Sequence, residues 1–516
     1  MKKIALFLSI MLMGIVLAYP QAEVSKRKDI TVFPVYSSYN IPDSSYQYFD
    51  NQLIGLLNSM KRFQVIGFQY HLNSTTIDQF IGKIQELKKQ AALNNTNYMD
   101  ADLGVVVIPA SEMKRLVNSF FIFIPSIVGY SVEEYYVEVQ EKRNGIIVIR
   151  LVKEYRATVQ ISVKVITAEG NLLETYNSSQ EAKSRDSAIA AYDQAVDGAI
   201  SGLGMFLRNV DEFKLKSTIL QAKNGLIYAQ LGKDLGVRPG YEFAIQKEIT
   251  VFNKLKEKRQ IGLIRIKDVK DEYSEATAIF GNPQEGDQLV ETPMAGGRFK
   301  IYGGMSPMAV PYSDIKIAYS TSNETYSDTI KWNKSLYAFN LGLHLEGEIG
   351  YAGLFDLNFG LLINNPLAFY FDIGGGYEFY FGNISVTTGA DLSLVFASTS
   401  LNNWSHKSEL TIGNTIFDKN ENINVSMSAF SIGVKPNITF NYQLSQRSKI
   451  RLTGGYGLYT RADFSMGFTS ASDSSKTSTV ALDDKNVSLT ADGNKQTALS
   501  VDFSGFFGGI EWMFRF

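Results

Sequence analysis

The chain has 516 residues, no cysteine and three histidines, His71, His344 and His406. The histidines are too scattered to be read as a metal site or a triad. Without thiols there is no disulfide, no thiolate nucleophile, no Cys-ligated metal and no lipidated N-terminal cysteine. No G-x-S-x-G, P-loop or H-E-x-x-H pattern occurs. The carboxylates Glu346, Glu348 and Asp356 could suggest an acid–base pair. They fall on polar strand faces with Lys435 and Arg451 available, however, so they read as an ion-paired plug. The run Asp418 to Asn422, "DKNEN", alternates oxygen ligands like a calcium loop. It lacks the glycine at position six and the closing glutamate, so it reads as a solvated outer loop. These residues point to no enzyme, no cofactor and no metal.

The elements that carry the charges are strands. From Gly296 onward the composition shifts to Gly, Phe, Tyr, Ser, Thr and Asn. In "FSIGVKPNITFNYQL" (430–444) the even positions from Phe430 to Leu444 are apolar and the odd ones, Lys435 among them, are small or polar. Alternate residues of a strand face opposite ways, so one face is apolar and the other polar, with Pro436 as a blemish. The same reading holds seven more times. Ile301 and Met305 oppose Lys300 and Tyr302; Leu341, Leu343 and Leu345 oppose His344, Glu346 and Glu348; Phe355 and Leu357 oppose Asp356. Phe371 and Phe379 oppose Asp372 and Glu378, and Leu392 and Leu394 oppose Asp391. Ile450 and Leu452 oppose Arg451 and Arg461. The last strand, 498–516, keeps one phase from Phe506 to Phe516, whereas Leu499, Val501 and Phe503 follow the other, as at a bulge or where a strand leaves its apolar surroundings.

A soluble barrel also alternates, but three features favour a membrane. The strands run well past five or six residues. The polar face mixes acids (Glu346, Glu348, Asp356, Asp372, Glu378, Asp391) with bases (Lys300, Lys435, Arg451), a set suited to a hydrogen-bonded lumen and costly in a dry core. Long polar linkers at 311–334, 398–424 and 462–497 alternate with short turns near Gly350, Gly382 and "SQRSK"; "NNP" (364–366) is a short turn on the long-linker side. The fold expected for 293–516 is an eight-stranded antiparallel transmembrane β-barrel embedded in outer-membrane lipid, with the three long linkers extracellular and both chain ends periplasmic. This region resembles the small outer-membrane barrels of the OmpA/OmpX kind. The ending, Trp512, Phe514 and Phe516, resembles the C-terminal signal that the barrel-assembly machinery reads in such proteins, with Glu511 where that signal carries a glycine.

The start, "MKKIALFLSIMLMGIVLAYPQAEV", has a charged n-region, an apolar run shorter than a membrane helix and a small-residue exit, so 1–18 reads as a secretory signal. Between signal and barrel, strand-like "DITVFPVY", "FQVIGF" and "ADLGVVVIPA" alternate with helical "SSYQYFDNQLIGLLNSMKR" and "TIDQFIGKIQELKKQAAL". A hairpin "RATVQISVKVITAEGNLLETYNSS" and a closing helix at 184–207 follow. Residues 19–212 therefore read as a periplasmic α+β module, and this order resembles the CsgG, TolB N-terminal and FlgT family of envelope proteins. The resemblance implies a role in flagellar-type or curli-type assembly, or, alternatively, an oligomeric CsgG-like secretion or transport channel. Residues 213–292 resemble the SH3-like barrel of FlgT-type proteins. The segment 116–155 reads as a sheet extension, its "RNG" a hairpin turn, or as membrane hairpins of a shared pore. Lys+Arg of 50 against Asp+Glu of 52 gives no sign of nucleic-acid binding. The periplasmic partner is not identified by any motif.

Overall fold

The computed structural model describes residues 24–67, 79, 82–83, 85–86, 89, 100–102, 107–111, 121–143, 146–167, 169–223, 225–251 and 255–516. The expected signal, 1–18, and most of the helix expected over 76–93 lie outside them; positions 79, 82–83, 85–86 and 89 are helical. The chain is mostly β-strand and divides into two units. The first comprises Met1–Arg259, Asp268–Ala276 and Gln284–Pro293, the second Gln260–Lys267, Thr277–Pro283 and Met294–Phe516.

In the first unit, β1 (Lys28–Val32) lies parallel to β2 (Phe63–Gly67) on one side and to β3 (Phe121–Arg143) on the other. The sheet continues antiparallel through β4 (Ile146–Thr167) and β5 (Leu172–Ser184), with Tyr36–Ser37 also on β3. Helix α1 (Asp43–Ser59) buries Phe49, Leu53 and Leu57, an i, i+4, i+8 stripe. Helix α2 (Ala188–Ser201) is capped by Ser187, whose Oγ accepts from the Ala190 amide at 3.0 Å, and buries Ala191, Ala195 and Ala199. Both helices share one core with Ile30, Phe123, Val159 and Val163 of the sheet.

One expectation is corrected here and another takes definite form. Among the described residues of 101–110, Ala101–Asp102 and Val107–Ile108 pair with each other and not with the sheet, and β3 takes the place beside β1 expected for the third strand; 103–106 lie outside the described residues. The reason is apolar content, since Phe121, Ile122 and Phe123 are buried while Val107 is half exposed. Within 116–155, 121–143 and 146–155 form the long β3–β4 hairpin, in keeping with the sheet extension expected. It runs past the end of β5, where Tyr155 pairs with Ser184, and 116–120 and the last two residues of the expected "RNG" turn lie outside the described residues.

Six further strands pair in a closed barrel in the order β7-β10-β9-β8-β11-β6: β6 Lys216–Lys223, β7 Leu226–Ala229, β8 Glu242–Val251, β9 Leu255–Val269, β10 Ser274–Phe280 and β11 Gln288–Glu291. Within the first unit, Glu291 of β11 is fully enclosed. It accepts from Arg62 at 2.8 Å, from Arg208 at 2.8 Å and from the Leu215 amide at 3.1 Å.

In the second unit eight strands pair in a ring: β12 (Gly297–Val310), β13 (Ser335–Ile349), β14 (Gly353–Ile363), β15 (Leu367–Phe381), β16 (Ile384–Ser400), β17 (Asn422–Ser445), β18 (Ser448–Tyr459) and β19 (Gly505–Arg515). Neighbours in sequence pair antiparallel, and β19 closes the ring between β18 and β12. A row of paired residues followed around it passes Ile384, Tyr442, Ile450, Trp512, Ile301, Leu343, Phe359, Phe371 and Leu394. It leaves β16 at 384 and returns to it at 394, a stagger of ten residues (394 − 384). Eight strands with that stagger tilt by roughly 40° on a backbone cylinder of about 8 Å radius, which leaves room for side chains and little else. Every member of the row is large and apolar, so the outward face is apolar at this level all the way round. Pro436 sits where the β17–β18 pairing skips from Val434↔Leu458 to Asn437↔Gly455, so its missing N–H is lost where the ladder is already interrupted.

The three long polar linkers fold into strands around a packed core, which corrects the expectation of open linkers at 311–334, 398–424 and 462–497; the turn at 418–422 itself is exposed, as expected. Asp314–Ser320 and Thr325–Lys331 form a sheet with Val487–Ala491, and β17 runs beyond the ring to pair with Ser465–Ser470. Between them lies a core of Trp332, Trp404, Phe417, Phe468 and Phe503, continuous with Ala368, Val395 and Ala397 at the ring's mouth. Leu499, Val501 and Phe503, the out-of-phase stretch before β19, belong to this cap, so the phase switch marks where the chain crosses from cap to ring.

Candidate functional site

The alternation that builds the ring sends its polar residues inward. Arg298 is the hub at the end carrying the short turns. Its guanidinium reaches Glu346 at 2.5 Å, Glu348 at 2.7 Å and Glu378 at 2.9 Å, with almost no exposed surface. Glu378 also takes Lys449, the Ser385 hydroxyl and, at 3.0 Å, the Tyr380 hydroxyl. Lys300 bridges Glu346 at 3.0 Å and Asp356 at 2.7 Å, and Arg451 joins Glu346 at 3.1 Å to Glu511 at 3.3 Å. Farther along, Lys435 pairs with Asp372 at 2.7 Å, and Asp391 accepts from Asn437 Nδ2 at 3.0 Å. His344 bridges the two regions. Its Nδ1 lies 3.6 Å from Glu511, its Nε2 lies 3.3 Å from the Tyr370 hydroxyl, and its ring stacks on Tyr302.

The structure thus brings Lys300, Glu346, Glu348, Asp356, Glu378 and Arg451 into one network. Lys435 and Asp372 form a separate pair, and Asp391 has no ion-pair partner among the described residues. Four members escape the sequence reading: Arg298, Lys449, Glu511 and Arg515. All are in phase with the polar face, so extending the alternation to each strand's end finds them. Arg461, which alternation places on that face, is not there. It is exposed, pairs with Asp463 and lies past the end of β18.

Buried charges of this kind are costly unless every one is paired, and packing must exclude water to keep them so. Aromatic rings supply the packing. Tyr302 lies against Gly304 and Gly509, and Tyr370 against Gly342 and Gly360; a Cβ at any of these glycines would collide with the ring. Lys435 sits over Tyr370 at 4.9 Å and Phe507 at 5.0 Å. The lumen is filled by its own side chains. No metal-binding cluster of His, Asp and Glu exists among the described residues.

The outward face is the converse. Leu341, Leu343, Leu345, Phe355, Phe369, Phe440, Tyr442 and Leu452 are all about half exposed, and each of the eight strands contributes such residues. Soluble monomers rarely expose contiguous apolar surface beyond a few hundred Å². Trp512, Phe514 and Phe516 belong to this face. Trp512 pairs with Ile301 and Phe514 with Phe299, and the Trp512 indole donates to Ser448 Oγ at 2.8 Å.

No family model matches this chain, and no curated protein matches it. Solved structures similar to it include a major outer membrane protein from Thermus thermophilus, with 11% identity over 42% of this chain and 99% of that one and a TM-score of 0.23. The outer membrane protease OmpT from Escherichia coli has 8% identity over 44% and 99% of the two chains and a TM-score of 0.21. OprG from Pseudomonas aeruginosa has 13% identity over 43% and 96% and a TM-score of 0.18. Likeness of this degree carries no functional argument.

Proposed function

We propose that this chain is a non-enzymatic outer-membrane protein. In this reading the ring is an eight-stranded transmembrane barrel that anchors without conducting, the first unit is a periplasmic interaction module, and the capped end faces outward. The observation that carries it is the double character of the ring: large apolar side chains outside on every strand, paired and buried charges inside. Lipid is the environment that suits the first, and a barrel too narrow for a water column suits the second. The apolar, Lys-led start supports export through a cleaved signal at 1–18. The phase of Trp512, Phe514 and Phe516 supports recognition by the barrel-assembly machinery. The order β2-β1-β3-β4-β5 with α1 and α2 supports a relationship to the CsgG, TolB N-terminal and FlgT family, and with it a role in assembling or anchoring envelope structures. The test is twofold. Full-length protein in planar bilayers should stay silent, and steady conductance would overturn the anchor. An epitope at the exposed position Asp483 should bind antibody on intact cells, and one after Val24 only once the outer membrane is broken; the reverse would invert the topology.

An oligomeric secretion or transport channel is the second reading, favoured by the β3–β4 hairpin beyond β5. That ribbon exposes Tyr136, Ile149 and Leu151 on one face. The same face carries Glu134, Glu138 and Lys153, which are expensive against lipid. Conductance from the full chain that disappears on deleting 129–159 would favour this reading.

A further inference from the structure

We infer that Arg265, carried by β9 and not by any strand of the ring, is the stopper of the ring's short-turn end: it completes the lumen's charge set and holds that end shut. The inference rests on the proposed barrel only for the statement that this end opens on the periplasm. The ring's own strands contribute six Lys and Arg side chains and seven carboxylates, one cation short of balance. Arg265 supplies the seventh. Its Nη1 lies 2.6 Å from Glu348, a carboxylate already held by Arg298 at 2.7 Å and Arg515 at 2.9 Å, so it enters the lumen network itself. Its Nε donates to the Tyr351 carbonyl at 2.6 Å and its Nη2 to the Gly350 carbonyl at 3.3 Å, the turn between β13 and β14. The side chain is almost wholly buried. Around it the second unit's segments 260–267 and 277–283 pack Leu263 and Ile279 against Ala352 and Tyr380, and the Tyr351 hydroxyl donates to Thr277 Oγ1 at 2.9 Å. A guanidinium this buried must find full hydrogen bonding, and here it finds two turn carbonyls that the ring's ladders leave free and a third place on Glu348, beside Arg298 and Arg515.

The absence of cysteine gives a clean test. Thr387 points into the lumen four residues from the Gly382–Asn383 turn and is buried. Thr387→Cys in the full-length protein, purified in detergent, is exposed to a charged, membrane-impermeant thiol reagent. With Arg265 present, modification should be slow. With Arg265→Ala it should be at least about tenfold faster while the heat-modifiable gel shift of the folded barrel persists. Arg265→Lys keeps the charge but loses the two carbonyl bonds and should fall between. Equal rates in all three proteins would overturn the stopper. Should the alanine variant not fold, the lysine variant decides, and a rate equal to that with Arg265 would overturn it. Because labelling is read in detergent, a failed topology test would sink the outer-membrane reading without altering this comparison.

Discussion

Arg298 illustrates how much depends on single charges in this lumen. Three carboxylates converge on it, and removing it takes one cation from each; breaking a buried ion pair typically costs about 3–5 kcal/mol, and Lys300, Arg451, Arg515, Arg265 and Lys449 remain to offset part of that. Arg298→Ala should therefore lower the unfolding transition of the refolded protein, followed by gel mobility against urea, far more than Arg461→Ala, whose ion pair is exposed. Glu291 makes the same point in the first unit and adds a pH dependence. Burial pushes its carboxyl up, but the charges and hydrogen bonds of Arg62 and Arg208 and the Leu215 amide together bring it below the usual carboxylate range. A carboxyl lowered on folding contributes stability that is complete above its unfolded value, about 4.3, and is lost as the pH falls through the folded value. Hydrogen exchange at the Leu215 amide, corrected for its intrinsic pH dependence, should show protection at neutral pH that falls away only below the ordinary carboxylate range. Glu291→Gln should reduce that protection at neutral pH and flatten its loss on acidification.

At the scale of the strand, the two faces should answer opposite substitutions. Sequence alternation suggests that an inward position such as Asn340 or Gly342 tolerates Arg better than Leu343 does. The structure removes that allowance. Asn340 is buried and donates to Ser306 Oγ at 2.8 Å, and any side chain at 342 meets Tyr370 and His344. Gly342→Ala should thus destabilise the ring by about 1–3 kcal/mol, as overpacking does. Leu343→Ala, on the half-exposed apolar face, leaves no cavity and should cost much less. Leu343→Arg should cost roughly 2–4 kcal/mol in a bilayer, because a cation at the midplane is poorly solvated. Refolding yields in lipid vesicles, read by heat-modifiable mobility, give all three. Gly342→Ala folding as well as Leu343→Ala would mean that the faces are assigned the wrong way round.

For the molecule as a whole, the packed cap changes what added protease should do. Composition alone marks 311–334, 398–424 and 462–497 as polar, cleavable linkers, yet their buried Trp404, Phe417 and Phe468 share one core. Intact cells treated with protease should retain these segments. Trp404→Ala, which empties a large core position at a cost of about 3–5 kcal/mol, should make them cleavable. Carboxylates clamp the cap from its edges. Glu324 accepts from Ser408 and the Lys407 and Ser408 amides, Asp492 from Ser313 and the Asp314 amide, and both are held below the usual carboxylate range. Acid should therefore loosen the cap before it loosens the ring's apolar exterior.

What the sequence determined by itself is the facing of the barrel strands. The strand period is two, so Lys300, Glu346, Asp372, Glu378 and Arg451 could be assigned to the inside, and Leu343, Phe440 and Trp512 to the outside, without knowing a single contact. Local pattern also sufficed for α1 and α2, whose apolar residues recur at helical spacing and are the ones the core buries. Only the tertiary structure decided which charges meet. Glu346 finds Arg298, Lys300 and Arg451 because the ten-residue stagger brings distant positions to one level, and stagger is a property of closure that no one strand encodes. The cap was hidden for a related reason. Its core is assembled from single apolar residues spread over three polar stretches, and none of those stretches has enough of them to show a period. Arg265 was the least legible of all. On β9 it is one more charged residue in a charged strand, and its role follows only from where the folded chain delivers it, against Glu348 and the carbonyls of the turn between β13 and β14.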